Sequence, residues 1–197
     1  MIRATKRALR GELLARRSTR AASHRDDLGA LMAVSAMEHP RLAAAGRVCG
    51  YVGIGDEPPT RPLLNRLRRA GVEVLLPILA PERTLDWARY DGFETLIRGP
   101  HGLLQPGGDR LGPAAPVTAD LLLVPALAVD AAGTRLGRGG GYYDRLLARL
   151  AGGRQRPVLP DTWAVVYDEE VLDRVPREPH DVPVSGVITP STFRRLR

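Results

Sequence analysis

At 197 residues and 44% hydrophobic content, the chain is long enough to bury a substantial core as one domain. Its longest apolar run, LLLVPALAV over 121–129, is interrupted by Pro125 and is roughly half of the eighteen or so residues needed to span a bilayer, which argues against a membrane-spanning class. The formal charge of +7 favours anionic partners without choosing among nucleic acid, nucleotides and acidic metabolites.

The basic N-terminus alternates apolar and charged residues at helical spacing and no signal-peptide block follows it, so it reads as mature sequence. Residues 2–17 form an amphipathic helix, with Leu9, Leu13 and Leu14 on its apolar side and Lys6 and Arg10 four apart on one face. All but one of the 29 Lys and Arg residues are arginine, a bias that reflects coding composition and makes the exception, Lys6, a functional candidate. Ser23 caps a second helix over 23–37, with Asp26 and Asp27 in its first turn.

Residues 47–52, RVCGYV, read as the first buried strand. They hold the lone cysteine, Cys49, which forbids an internal disulfide and suits a reducing cytoplasm; a small buried hydrophobe explains it better than a catalytic thiol. A loop and short helix over 53–71 end at Gly71, and a strand at 72–79 follows, so strand, helix and strand make a right-handed parallel crossover. Residues 84–90 alternate as a strand, and 99–116 form a long ordered loop rich in Gly and Pro. The strongest buried strand is 120–130, followed by a glycine loop over 131–141 and a helix over 142–152. Strands at 162–168 and 185–189 complete the pattern, and only the final RRLR reads as disordered. The class is α/β: an open, mostly parallel sheet flanked by helices, in a single domain over 1–197 with N-terminal helices (1–40) packed on it.

Within RLGRGGGYYDRLL, residues 135–147, four glycines occupy five positions from Gly137 to Gly141, with Arg138 between them. A turn feeding a helix needs one or two glycines, so the longer run points to close approach of a ligand to the backbone. Its N–H groups and the following helix N-terminus suit phosphate oxygens, and Arg135 and Arg138 could neutralise their charge. Neither common phosphate fingerprint fits: residues 140–142 are Gly-Gly-Tyr rather than Gly-Lys-Ser/Thr, and Tyr142 stands three places after Gly139, where a dinucleotide loop needs glycine. Asp144 in the first helical turn suits the helix dipole or a Mg²⁺ ion, and one of Tyr142 and Tyr143 could line a pocket for a planar ligand.

The stretch VPALAVDAAGTRLGRGGGYYDRLL resembles the 5-formyltetrahydrofolate cyclo-ligase family, also called 5,10-methenyltetrahydrofolate synthetase. Further matches follow in order: KRALR near the start, YVGIGDE, VLLP, and VPREPHDVPVSGVIT close to the end. The resemblance implies an ATP- and Mg²⁺-dependent ligase of one-carbon metabolism that closes 5-formyltetrahydrofolate, with or without a polyglutamate tail, to 5,10-methenyltetrahydrofolate, releasing ADP and phosphate. It implies that Lys6 and Arg10 meet the ATP phosphates and that Arg135, Leu136, Gly137, Arg138, Gly139, Gly140, Gly141, Tyr142 and Tyr143 form the ATP loop. Asp144 is the implied Mg²⁺ ligand, and Lys6 and Arg138 the catalytic charges. Val52, Glu57, Arg138, Gly139, Gly141 and Tyr142 are the implied folate contacts. His180 and Asp181 match a family motif that serves equally as a turn stabilised by side-chain bonds.

Three departures from the family pattern stand out: Gly140 where many relatives have Lys, Gln105 where Glu is usual before a proline, and the pair Pro58 and Pro59 after Glu57. They leave open an ATP-dependent enzyme acting on another formyl or amide substrate, and a non-catalytic folate-binding paralogue. The net charge leaves open an RNA-binding one, but at 5% aromatic content no basic stripe interleaved with aromatics occurs, so neither nucleic acid nor a membrane is an expected partner.

Overall fold

A computed structural model describes residues 2–152 and 160–196. The N-terminal region is helical: α1 (Ile2–Ser18), α2 (Ala22–Met37) and the single turn α3 (Pro40–Ala43). Ser23 is not the cap of α2, because the helix starts one residue earlier and Ala21 takes the cap position without a side-chain bond.

Alternating strands and helices then build the body. β1 (Arg47–Cys49), α4 (Arg61–Arg69) and β2 (Glu73–Ala80) form the expected crossover, with β1 and β2 parallel. Helix α4 stops because Gly71 takes a left-handed φ of 83°, which lets the Val72 N–H return to the Leu67 carbonyl. β3 (Thr84–Arg89) folds back antiparallel on β2. The stretch 99–116 is not wholly loop, since β4 (Leu96–Arg98) pairs with β5 (Leu104–Pro106) in a small ribbon. Later come β6 (Leu121–Pro125), β7 (Ala128–Asp130), β8 (Arg135–Leu136), α5 (Tyr142–Gly152), β9 (Asp161–Val165), β10 (Val171–Leu172), β11 (Gly186–Ile188) and β12 (Phe193–Arg195).

The main sheet runs β12-β11-β9-β6-β1-β2-β3, and its five inner strands are parallel. Strand β6 explains why it needs helices on both faces. Leu121 and Leu123 join a core with Met32, Ala33 and Ala36 of α2 and Leu63, Leu64 and Leu67 of α4. Leu122 and Val124 point the other way, to Leu146, Leu147 and Leu150 of α5. Cys49 is buried on that second face and its thiol pKa is pushed up by burial, as a small core hydrophobe requires.

Two expectations are corrected here. Residues 120–130 are not one strand: Pro125 has no N–H to continue the ladder, and the chain leaves the main sheet there and enters a second sheet, β10-β7-β8. Helix α1 covers that sheet through Leu13, packed with Leu127, Ala128, Leu136 and Val175. The C-terminal arginines are likewise not disordered up to Arg195, because Phe193–Arg195 pair antiparallel with β11 at the sheet edge; Arg197 lies outside the described residues.

Gly186 sits opposite Trp163 in the β11–β9 register, and the buried indole lies where a Cβ on Gly186 would be. Gly186→Ala must displace this ring and is expected to cost about 1–3 kcal/mol of unfolding free energy, read by urea denaturation; a midpoint equal to the wild type would show that the indole moves freely.

Candidate active site

The glycine loop hangs between β8 and α5. Gly139 and Gly141 hold φ of 102° and 79°, values that a side chain would strain. Gly137 is needed for another reason: a Cβ there would lie 2.8 Å from Arg135 Nη1. Gly140 has no such constraint, since its Cβ position makes only ordinary contact with the Tyr142 ring.

Behind the loop, Arg135 is buried, donates from Nη1 to the Pro125 carbonyl (2.9 Å) and pairs through Nη2 with Asp144, whose side chain is about half exposed. Burial lowers the Arg135 pKa, while Asp144 pulls it the other way. Arg10 reaches over from α1 and donates from Nε to the Gly137 carbonyl (2.8 Å).

Opposite stands the loop after β1. Thr60 pins it, accepting from the Gly53 N–H at 3.0 Å and donating to the Tyr51 carbonyl. Pro58 places its carbonyl where a Cβ on Gly53 would be, and Pro59 packs as closely against Gly29 of α2. Pro59 thus seats this loop against α2. Glu57, just before the two prolines, is buried, with Oε2 accepting the Ile54 N–H at 3.1 Å. Burial raises the Glu57 pKa above the usual carboxylate range; the Ile54 N–H, Arg138 and Arg17 each pull it back down.

These walls enclose a cavity of about 250 Å³. Val52, Glu57, Arg135, Gly137 through Gly141, Tyr142, Tyr143 and Asp144 all line it, so the structure brings most of the expected residues together. Arg138 crosses it, with Nε 2.9 Å from Glu57 Oε1. Leu136 is buried behind the loop and does not line it. Lys6 does not line it either: it is buried in an ion-pair cluster with Glu178 (3.1 Å) and Asp181 (2.6 Å). Asp181 also accepts the Glu178 N–H at 2.7 Å, and the exposed His180 places Nε2 4.0 Å from Glu178 Oε2 and 3.9 Å from Asp181 Oδ1, so the EPHD segment is a turn that holds Lys6.

Sequence reasoning missed the apolar wall of Pro77, Leu79 and Leu85, from β2 and β3, which carries no local signal; Leu103 and Leu104, beside the departure at Gln105, complete it. It also missed Tyr51. Around the cavity the Tyr51 and Tyr143 hydroxyls, Gln105 Oε1 and Arg135 Nε are buried without hydrogen-bond partners, an unusual cluster for a finished interior. A second, wider groove of about 1080 Å³ shares Val52, Glu57 and Leu104 with the cavity and is lined by Arg25, Arg61, Arg66 and Arg69.

A glycine loop flanked by arginines, carried by a hairpin that leaves the parallel sheet and facing a largely apolar cavity with one buried carboxylate, has the chemistry of a small-molecule enzyme site suited to an anionic and a planar ligand. The sequence model of the 5-formyltetrahydrofolate cyclo-ligase family matches residues 2–190, and the chain belongs to that family. It is 43% identical over 155 residues to a 5-formyltetrahydrofolate cyclo-ligase of Mycolicibacterium smegmatis, covering 76% of each chain. The identity to the Escherichia coli K12 cyclo-ligase is 30% over 193 residues and 97% of both chains. Among solved structures, the Aquifex aeolicus 5,10-methenyltetrahydrofolate synthetase superimposes with a TM-score of 0.80 at 30% identity, over 98% of this chain and 93% of that one.

Because Arg138 is one of the two guanidinium groups that hold Glu57 down, Arg138→Met is expected to raise the Glu57 carboxyl pKa further. A ¹³C NMR titration of that carboxyl reads it directly; a midpoint that does not move upward contradicts the bridge.

Proposed function

We propose that the chain closes 5-formyltetrahydrofolate to 5,10-methenyltetrahydrofolate at the expense of ATP. The observation that carries this reading is the Arg138–Glu57 bridge, which puts a loop arginine and a buried carboxylate in contact across one cavity. A nucleotide on the glycine loop and a pterin on Glu57 would meet at that point. The formyl oxygen attacks the γ-phosphorus and ADP departs; the neighbouring folate nitrogen then attacks the formyl carbon and loses its proton as phosphate leaves with the former formyl oxygen.

No side chain needs to bond covalently, so the residues serve by positioning and by charge. Arg138 and the N–H groups of Gly139 to Gly141 face the transferring phosphoryl. Arg10 fixes the loop through Gly137, and Lys6 joins this charge set once the nucleotide draws it from Glu178 and Asp181. Glu57, with Val52 beside it, accepts pterin N–H groups, and Tyr142 flanks the ring. Asp144 commits one oxygen to Arg135 and is half exposed at the cavity rim, a donor suited to Mg²⁺. The ion, when bound, would neutralise phosphate charge. The arginine groove beyond Glu57 is where a polyglutamate tail would lie. The buried free thiol of Cys49 fits a reducing cytoplasm.

Mixing protein, 5-formyltetrahydrofolate and MgATP should produce the near-ultraviolet band of the methenyl product, and omission of ATP should abolish it; a flat trace with ATP present refutes the reading. Two variants divide the site. Glu57→Gln is expected to raise KM for the folate by about tenfold or more with little change for ATP, and Lys6→Ala to do the reverse or to lower kcat. Steady-state kinetics in both substrates checks the pair, and an interchange of the two patterns would reverse the assignments.

A further inference from the structure

Arg17 does not line the cavity, yet it is among the most buried side chains in the protein, at 1% exposure. It lies on the same stripe of α1 as Lys6 and Leu13. Its guanidinium grips Glu170 with two bonds, Nε to Oε1 at 2.6 Å and Nη2 to Oε2 at 2.7 Å. Nη2 also donates to the Ala126 carbonyl at 2.7 Å. Glu170 is itself fixed, since Oε2 accepts the Tyr167 N–H at 2.8 Å.

The Ala126 carbonyl is no ordinary acceptor. Pro125 and Ala126 both line the cavity, and they form the corner at which the chain leaves the main sheet for the hairpin of β7 and β8 that carries the glycine loop. Arg135 holds the carbonyl of Pro125 and Arg17 that of Ala126, so two buried guanidinium groups clamp consecutive peptide units. Burying a charge this deeply for stability alone has little return, because an apolar pair of similar volume serves as well. Arg17 does something an apolar residue cannot: it donates to a backbone carbonyl in the cavity wall.

We propose that Arg17 is a positioning residue of this active site, holding through the Ala126 carbonyl the corner that sets the glycine loop. The inference rests on the assignment of the glycine loop to the nucleotide. A role confined to stability would move the melting temperature only; the positioning role moves KM for ATP as well.

The test pairs Arg17→Met with Glu170→Gln, so that no carboxylate is left buried without a partner and the Tyr167 N–H keeps its acceptor. The double variant is expected to fold and to show KM for ATP raised at least about threefold. A folded double variant with wild-type KM for ATP overturns the proposal.

Arg17→Lys is the second variant, retaining a point charge without the guanidinium fork. It should still raise KM for ATP; unchanged ATP kinetics in it would overturn the clamp even if the double variant did not fold. Calorimetric titration of the wild type and of Arg17→Met/Glu170→Gln with ATP needs no turnover. It therefore separates failure of this inference from failure of the assigned reaction, which the wild-type assay alone decides.

Discussion

Two consecutive carbonyl oxygens, those of Pro125 and Ala126, are the hinge of this architecture. Up to Pro125 the chain is the central strand of a parallel sheet; after Ala126 it is the first strand of a hairpin that presents the glycine loop. A peptide corner in an apolar interior leaves acceptors that must be satisfied. Here two arginines from opposite ends of the sequence take them, Arg17 from α1 and Arg135 from β8. The same two side chains then find carboxylates, Glu170 and Asp144, so that the corner ties together α1, the 168–170 turn, the hairpin and the start of α5.

Much of the charge in the chain is consumed in this way. Arg138 is held against Glu57, Lys6 against Glu178 and Asp181, and Arg47 against Glu73. The arginine excess that composition attributes to coding bias is thus put to use inside the fold, where a planar guanidinium can hold a carboxylate and a backbone carbonyl at once. Arg66 and Arg69 line the second groove beside the cavity, and Arg61 there lies over the Phe93 ring.

The sheet was legible because its inner strands are short continuous apolar runs and its helices are punctuated by Gly71 and the loop glycines. LLLV at 121–124 reads as buried on both faces and is. The glycine loop was legible as a candidate site because four glycines in five positions are costly, whereas Glu57 came only with the family resemblance. Pairing was much less so. Nothing local shows that Lys6 meets Glu178 and Asp181, more than 170 positions away, or that Arg17 rather than Arg16 turns inward. The clue for Arg17 lies in helical phase, eleven residues from Lys6 and four from Leu13 on one stripe, which an alternation of Leu and Arg tends to hide. The break at Pro125 was visible as a proline, but the second sheet that follows it depends on partners at 135–136 and 171–172, beyond any local window.

The main sheet ends on both sides in strands that run against their neighbours, β3 at one edge and β12 at the other. Each carries charge: Asp86 and Arg89 on β3, Arg194 and Arg195 on β12. An open parallel sheet offers unpaired N–H and C=O groups to any other extended chain, and charged edge strands discourage such docking. The feature that closes the sheet thus also acts against edge-to-edge aggregation, leaving five apolar parallel strands screened from the crowded solution in which the enzyme works.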